Sequence, residues 1–339
     1  MPVLVFGFGN LLKHSVDTNQ YYYNQLNNSQ KTAYKLILFG ITSFSKEIKL
    51  SIRPINEISV IFESILLDNP LIFYVTSFNY ANDLYKKKCI VKPNYKYAKY
   101  FVKEHTKLVN RYLQTFDSLK TENGVTKEVC IHDYCLNNFC YDHSLEDYSY
   151  SILGPILNKS ATCEGISKFV KLAFEYLNIP SLIVHGKAKN PVDDSLSEKH
   201  AWNIVMVEGK HYHLDVTFDL SLKRKMNRYD YFNLAGVDIK RDHTIINKVP
   251  DCTTIGNDYM SVNSLVVSNP TELAKHIENS LKHSKKNIIV KLQNVQDTGN
   301  IVDKVITIAQ QQYNNIHKCN VAVEVRYNPS QLVFEINFT

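Results

Sequence analysis

The sequence predicts an α+β protein in three parts: an α+β N-terminal region over 1–120, a central core over 121–250 and a small α+β C-terminal domain over 258–339. Three observations carry that expectation. Apolar residues recur at helical spacing in some segments and at strand spacing in others, with the two kinds interleaved along the chain. A polar stretch at 251–258 sets off the last third, where the pattern predicts a strand over 261–267, a helix over 270–283, a strand over 287–292, a helix over 300–313 and a hairpin of 321–326 with 331–338. The composition, 44% hydrophobic and 21% charged, fits globular domains and excludes disordered and membrane-embedded classes. At 339 residues there is chain enough for more than one buried core.

In the first part the residue pattern predicts helices over 29–44 and 56–67, and strands over 47–52, 71–78 and 89–92. A long helix is expected over 95–119, with Ala98, Val102, Val109, Leu113 and Phe116 on its apolar side. Lys96, Lys99, Lys103, Lys107 and Arg111 recur at helical spacing on the opposite side. The plain reading of that row is a solvated face; the sharper one is a surface for an anionic polymer. Gly7-Phe-Gly9 lacks the further glycines and the lysine of a phosphate loop, so no nucleotide site is expected there.

The central part holds the most informative residues. After Cys163 the apolar positions Ile166, Phe169, Val170, Ala173, Phe174 and Leu177 make one helical stripe, which Asn178-Ile179-Pro180 ends. Cys163 thus falls at a helix N-terminus, with Ser160 or Thr162 as capping candidates. Unpaired N–H groups there favour a thiolate. Residues 200–207 and 211–218 both alternate as strands, joined at Glu208-Gly209. With Val207 opposite Lys210, Trp202 faces Asp215 and His200 faces Thr217. His200 and Asp215 then become diagonal neighbours about 7–8 Å apart at the backbone. A thiol, an imidazole and a carboxylate in this order supply the nucleophile, base and orienter of thiol acyl transfer.

Cys-Glu-Gly at 163–165, Asn-Ile-Pro at 178–180, His-Ala-Trp-Asn at 200–203 and Tyr-His-Leu-Asp-Val-Thr-Phe-Asp at 212–219 resemble the transglutaminase-like superfamily. Tyr229-Asp-Tyr-Phe-Asn233 and Arg241-Asp-His243 downstream, with Ile131-His-Asp-Tyr134 and Tyr141-Asp142 upstream, extend the likeness over about 125–245. The resemblance implies a cysteine-protease-like fold for the core. It also implies roles for three residues: Cys163 as nucleophile, His200 as general base and Asp215 as the residue orienting the imidazole. Ile166-Ser167 stand where many relatives carry Tyr-Ala, Phe218 where Trp is common and Leu153 where an aromatic is frequent. These departures bear on substrate fit. The backbone N–H of Cys163 is the natural first oxyanion donor. Asn158, Tyr148, Tyr150 and Trp202 are the side chains considered for a second donor or for substrate contact.

The expected function is acyl transfer on a protein or peptide amide through a Cys163 thioester, ending in hydrolysis or in crosslinking. The alternative is a binding or scaffolding protein on the same fold, directed at an anionic cell-surface polymer. No cofactor is expected, and no calcium loop of spaced carboxylates occurs. Cys130, Cys135 and Cys140, five apart on a helix, fan about 140° around the axis and make no metal site. Seven cysteines leave at least one unpaired, which suits a free nucleophile. No apolar run is long enough for a membrane span, and nucleic acid is not expected as a partner. Residues 1–10 are apolar but lack a basic flank, so no signal peptide is expected in them; the compartment stays open, cytoplasmic as the chain stands and exported if a signal has been removed. The 187–199 loop, with Pro191, Asp193, Asp194 and Ser195, reads as a mobile rim. His211 and His213 share the face of Asp215 and are candidates to tune it, with exposed strand histidines as the plainer expectation.

Overall fold

The structure, a computed structural model, describes residues 20–50, 55–83, 88–189, 198–293 and 299–339. The N-terminal ten residues and the 190–197 rim lie outside the described residues. The chain divides into two compact units: Met1–Val184 with Ala201–Glu208, and His185–His200 with Gly209–Thr339.

In the first unit, helices Tyr21–Gln25, Asn28–Thr42 and Ile55–Asp68 accompany an antiparallel sheet. Its strands β1 (Ile48–Leu50), β2 (Val75–Asp83) and β3 (Lys88–Tyr95) run in the order β1-β3-β2. Asn27 and Gln30 start the second helix with a reciprocal capping box. The buried Asp68 carboxylate takes the backbone N–H groups of Tyr22 and Tyr23 at 3.1 and 2.8 Å and the Tyr34 hydroxyl at 3.2 Å. Helices Lys99–Leu113, Gly124–Asn138 and Cys163–Tyr176 follow, with a 3-10 stretch Gln114–Thr121 after the first of them. Phe169 is the hub of their aromatic core. Its ring centroid lies 4.8 Å from Phe139 and 6.0, 6.2 and 6.3 Å from Tyr112, Tyr134 and Phe116. Two short parallel strands, β4 (Cys140–Tyr141) and β5 (Ser160–Ala161), bracket the segment leading to Cys163.

Strands β6 (Ser181–Ala188), β7 (Glu198–Val207), β8 (Lys210–Leu214) and β9 (His243–Ile245) form a sheet in the order β8-β7-β6-β9. The Glu208-Gly209 turn has φ of 51° and 76°, the left-handed pair a two-residue connection needs and glycine accepts without strain.

The second unit carries helix Val216–Leu222 and the C-terminal sheet of β10 (Val266–Val267), β11 (Asn287–Leu292), β12 (Val323–Asn328) and β13 (Val333–Phe338), ordered β10-β11-β13-β12. Helices Pro270–Lys282 and Ile301–His317 pack Ile277 and Ala309 against Val290, Phe334 and Ile336. Every residue of β13 is buried. Among its polar members, Glu335 accepts from Arg228 at 3.3 Å and from the Asn337 side-chain amide at 3.3 Å, and Arg228 forks onto Asp230 at 2.9 and 2.8 Å. Among the described residues no helix is long and apolar enough to cross a membrane.

Several local expectations change. The helix expected over 95–119 starts only at Lys99, because Tyr95 still pairs with Val75 in the β2–β3 ladder and the Lys96 amide bonds to the Tyr74 carbonyl. The strand expected at 71–78 begins at Val75 and continues to Asp83. A strand expected over 261–267 is a helical turn Tyr259–Val262 followed by the short β10, because Asp258 caps the turn through the Ser261 amide and hydroxyl at 3.3 and 2.6 Å. The strand expected to run to Phe218 stops at Leu214.

Candidate active site

Cys163 is the first residue of its helix and is partly exposed. Thr162 occupies the N-cap position but makes no side-chain cap. Its hydroxyl and its amide both donate to the Ser149 carbonyl, at 3.2 and 3.1 Å. That carbonyl also explains the glycine of Cys-Glu-Gly: a Cβ at Gly165 would come within 2.2 Å of it. The Ser149 hydroxyl donates in turn to Asp142. The turn before Cys163 is therefore fastened to the helix start by close backbone approach. Lys168 bonds the Tyr150 carbonyl and pairs with Glu164, both at 2.9 Å. In the same unit, Asn203 of the His-Ala-Trp-Asn run is buried and donates to the carbonyls of Ser167 at 3.0 Å and Leu182 at 3.4 Å.

His200 and Asp215 come together by a different route from the expected strand register. Because β8 ends at Leu214, Asp215 is the N-cap of helix Val216–Leu222, and its Oδ1 accepts from the Phe218 amide at 3.0 Å. Asp is avoided inside strands and favoured at caps, so the cap wins. Oδ2 lies 2.6 Å from His200 Nε2 and 3.0 Å from His243 Nε2. His243 Nδ1 lies 2.6 Å from Asp242 Oδ1, and the Tyr231 hydroxyl donates to Asp242 Oδ2 at 2.6 Å. The two aspartates of Asp-Val-Thr-Phe-Asp clasp Tyr231 by its backbone. The Asp215 amide donates to its carbonyl at 3.0 Å, and Asp219 Oδ1 accepts from its amide at 3.1 Å. Phe218 sits among three of the rings, 4.5 Å from His200, 4.8 Å from His243 and 5.0 Å from Tyr231.

Asp215 is fully buried, and burial opposes its ionisation. The facing imidazole of His200, with hydrogen bonds from His200 and His243, outweighs that and holds the carboxyl well below the usual carboxylate range. His213, expected exposed, is buried and exchanges two backbone hydrogen bonds of 2.9 Å with Leu234. Burial, then the charge of His243, pushes its imidazole down to about 3, so it stays neutral at working pH. Burial also lowers His211.

His200, Asp215 and His243 form a cluster of metal-ligand type among the described residues. Separations of 2.6 and 3.0 Å are hydrogen-bond lengths. Ligand atoms on one tetrahedral zinc ion sit about 3.3 Å apart, so the arrangement fits proton sharing better than a metal.

The remaining sequence candidates are dispersed. Trp202 is buried, Tyr148 is half-buried, and Tyr150 and Asn158 are exposed. Of the basic row, Lys96 precedes its helix and pairs with Asp147 at 3.0 Å, and Lys107 pairs with Glu104 at 2.9 Å. Lys99, Lys103 and Arg111 are exposed on the helix itself. Cys135 is buried and Cys140 exposed. Sequence reasoning gave no role to Asp242, Tyr231 or His243. The signal available was their place in the Tyr229–Asn233 and Arg241–His243 runs, which carried the family likeness without pointing to a role.

The sequence model of the Transglutaminase-like superfamily matches residues 111–216. A candidate cysteine protease from Cytophaga hutchinsonii is 17% identical over 32% of this chain and 37% of that one, with a TM-score of 0.28. A chain described as a TGase is 15% identical over 54% of this chain and 53% of that one, with a TM-score of 0.29. The chain thus spans about a third to a half of the length of these two solved structures. No curated protein matches it in sequence.

Proposed function

Given that residues 111–216 carry a transglutaminase-like domain, we propose that the chain is a thiol acyltransferase acting on a protein or peptide amide. Cys163 is the nucleophile, His200 the base and Asp215 the residue that orients it. The observation that carries the reading is the buried Asp215 carboxylate bonded at 2.6 Å to a histidine of the matching motif set. With Nε2 engaged by Asp215, Nδ1 is the atom of His200 that exchanges protons with the thiol. The Cys163 proton passes to that nitrogen and the sulfur adds to the amide carbon. The Cys163 backbone N–H, at a helix start, serves the developing oxyanion. The C–N bond then breaks, the leaving amine takes the proton from the imidazolium, and a thioester remains. Water or a second amine attacks the thioester, His200 takes the incoming nucleophile's proton, and the thiol is regenerated as acid or new amide departs.

The test uses the other thiols as internal controls. Cys140 and Cys319 are exposed, whereas Cys163 is only partly so. Alkylation followed by peptide mass spectrometry should modify Cys163 at least tenfold faster than either, and His200→Ala should abolish that advantage. Equal rates at all three would sink the proposal. Incubation with a glutamine-containing peptide and a primary amine then separates hydrolysis from crosslinking by the mass of the product.

The second reading, a non-catalytic binder of an anionic polymer, draws on the exposed Lys99, Lys103 and Arg111. It expects salt-sensitive retention on a polyanion column that Lys103→Glu reduces and Cys163→Ala leaves alone.

A further inference from the structure

The Asp215 carboxylate has more donors than orienting one imidazole requires. Oδ1 is committed to the Phe218 amide, and Oδ2 meets both His200 and His243. An ionised carboxylate oxygen can accept two hydrogen bonds, so both lone pairs of Oδ2 are in use. His243 is itself fixed from every side. Its backbone pairs with Ala188 across β6 and β9, its Nδ1 meets Asp242, and the Asp242 carbonyl accepts from the Lys189 amide at 3.0 Å. Beyond Asp242 stands the Tyr231 hydroxyl, whose own backbone is clasped by Asp215 and Asp219.

The result is a closed run of polar side chains, His200–Asp215–His243–Asp242–Tyr231, in which only His200 has any solvent exposure beyond a few per cent. Burying two carboxylates and two imidazoles is costly unless each is paired, and apolar residues of the same volume would fill the space more cheaply. Packing alone does not account for the arrangement. Among the described residues, the charged and titratable groups around His243 include Asp215, Asp242, Tyr231, His200 at 5.6 Å between rings, and the neutral His213, with Lys240 acting on His213.

We propose that His243, backed by Asp242 and Tyr231, is a positioning residue that holds the Asp215 carboxylate in one orientation and limits how strongly it binds the His200 proton. The proposal rests on Asp215 being the residue that orients His200. Sharing Oδ2 with a second donor draws charge from the oxygen that faces His200. Asp215 then fixes the His200 tautomer without trapping the ring in its charged form. Without His243 the whole carboxylate charge falls on His200, and its protonated state becomes more stable.

The test is a nitrogen NMR titration of His200 in the full chain carrying Cys163→Ala, which uncouples the ring from the thiol. His200 is identified by its loss in His200→Ala. His243→Leu should raise the His200 midpoint by about half a pH unit or more. His243→Gln keeps one donor toward Asp215 and should fall between Leu and the parent. A His200 midpoint within about a tenth of a unit of the parent, in a folded His243→Leu chain, would overturn the proposal. If that variant does not fold, Tyr231→Phe decides, since it removes only the far hydroxyl. With the Asp242 charge then left to His243 alone, His243 donates more strongly to Asp215 and the His200 midpoint should fall slightly; no change, or a rise, overturns the proposal. Alkylation of Cys163 in the otherwise native chain keeps the two readings apart. A shifted midpoint beside an unreactive Cys163 would end the acyl-transfer proposal and leave the positioning role standing.

Discussion

Two buried aspartates, one in each unit, show how the same side chain takes opposite electrostatic states. Asp68 is 6% exposed and Asp215 is 0% exposed, and burial opposes the charge of both. Around Asp68 the hydrogen-bond donors are neutral: two backbone amides and the Tyr34 hydroxyl. They and the charge of Lys171 fall short of the desolvation cost, and the carboxyl is pushed up to about 6. Around Asp215 two of the three donors are imidazoles, and the carboxyl goes the other way. Burial sets the size of the penalty, and the charge of the partners sets its sign.

The largest way to break this contrast is Asp215→Ala. It leaves His200, His243 and the Phe218 amide without their common acceptor, and should cost about 3–5 kcal/mol of stability in urea unfolding. The same residue predicts acid sensitivity. A carboxyl held below its unfolded value stabilises the fold above that value, so its contribution is intact above about pH 4 and is lost as the pH falls further. Parent and Asp215→Asn chains, unfolded at pH 6 and again at pH 3, should differ less at pH 3, by about 1 kcal/mol.

Asp68 carries the opposite sign. A carboxyl raised to about 6 favours the fold while protonated. Stability should therefore decline as the pH rises from about 4 to about 6, by at most about 3 kcal/mol from this group. Asp68→Asn should flatten that slope, and a slope that persists in the variant would show that another group causes it.

Two smaller substitutions sharpen the comparison. Lys171 is buried and answered by Glu175 at 2.5 Å and the Ser181 carbonyl at 3.1 Å. Its replacement by methionine removes the charge that partly restrains Asp68 and should move the midpoint of the pH-dependent decline upward. Tyr34→Phe removes one neutral hydrogen bond to Asp68 and the acceptor of the Asn69 side-chain amide at 2.8 Å. It should move that midpoint in the same direction by less and cost about 1 kcal/mol.

Much of this architecture was legible where the signal is local. The strand at 287–292, the helix starting at Pro270 and the hairpin of β12 and β13 follow from period, proline and turn residues that act over a few positions. The Cys163 helix was legible for the same reason, and so was the need for glycine at the Glu208-Gly209 turn. What escaped was set by competition. Asp215 lies where a strand pattern and a cap preference overlap, and the amide of Phe218 three residues on decided for the cap. The helical turn at 259–262 arose in the same way from Asp258. His243 escaped for a different reason. Its partner Asp215 is 28 residues away, and no local spacing carries that pairing.

The clasp on Tyr231 has a kinetic consequence. Its amide is held by Asp219 and its carbonyl by the Asp215 amide, so solvent reaches that N–H only when the segment after helix Val216–Leu222 lifts away. The deuterium uptake of one backbone position thus becomes a clock for the breathing of the acidic side of the site, readable in the resting protein before any substrate is known.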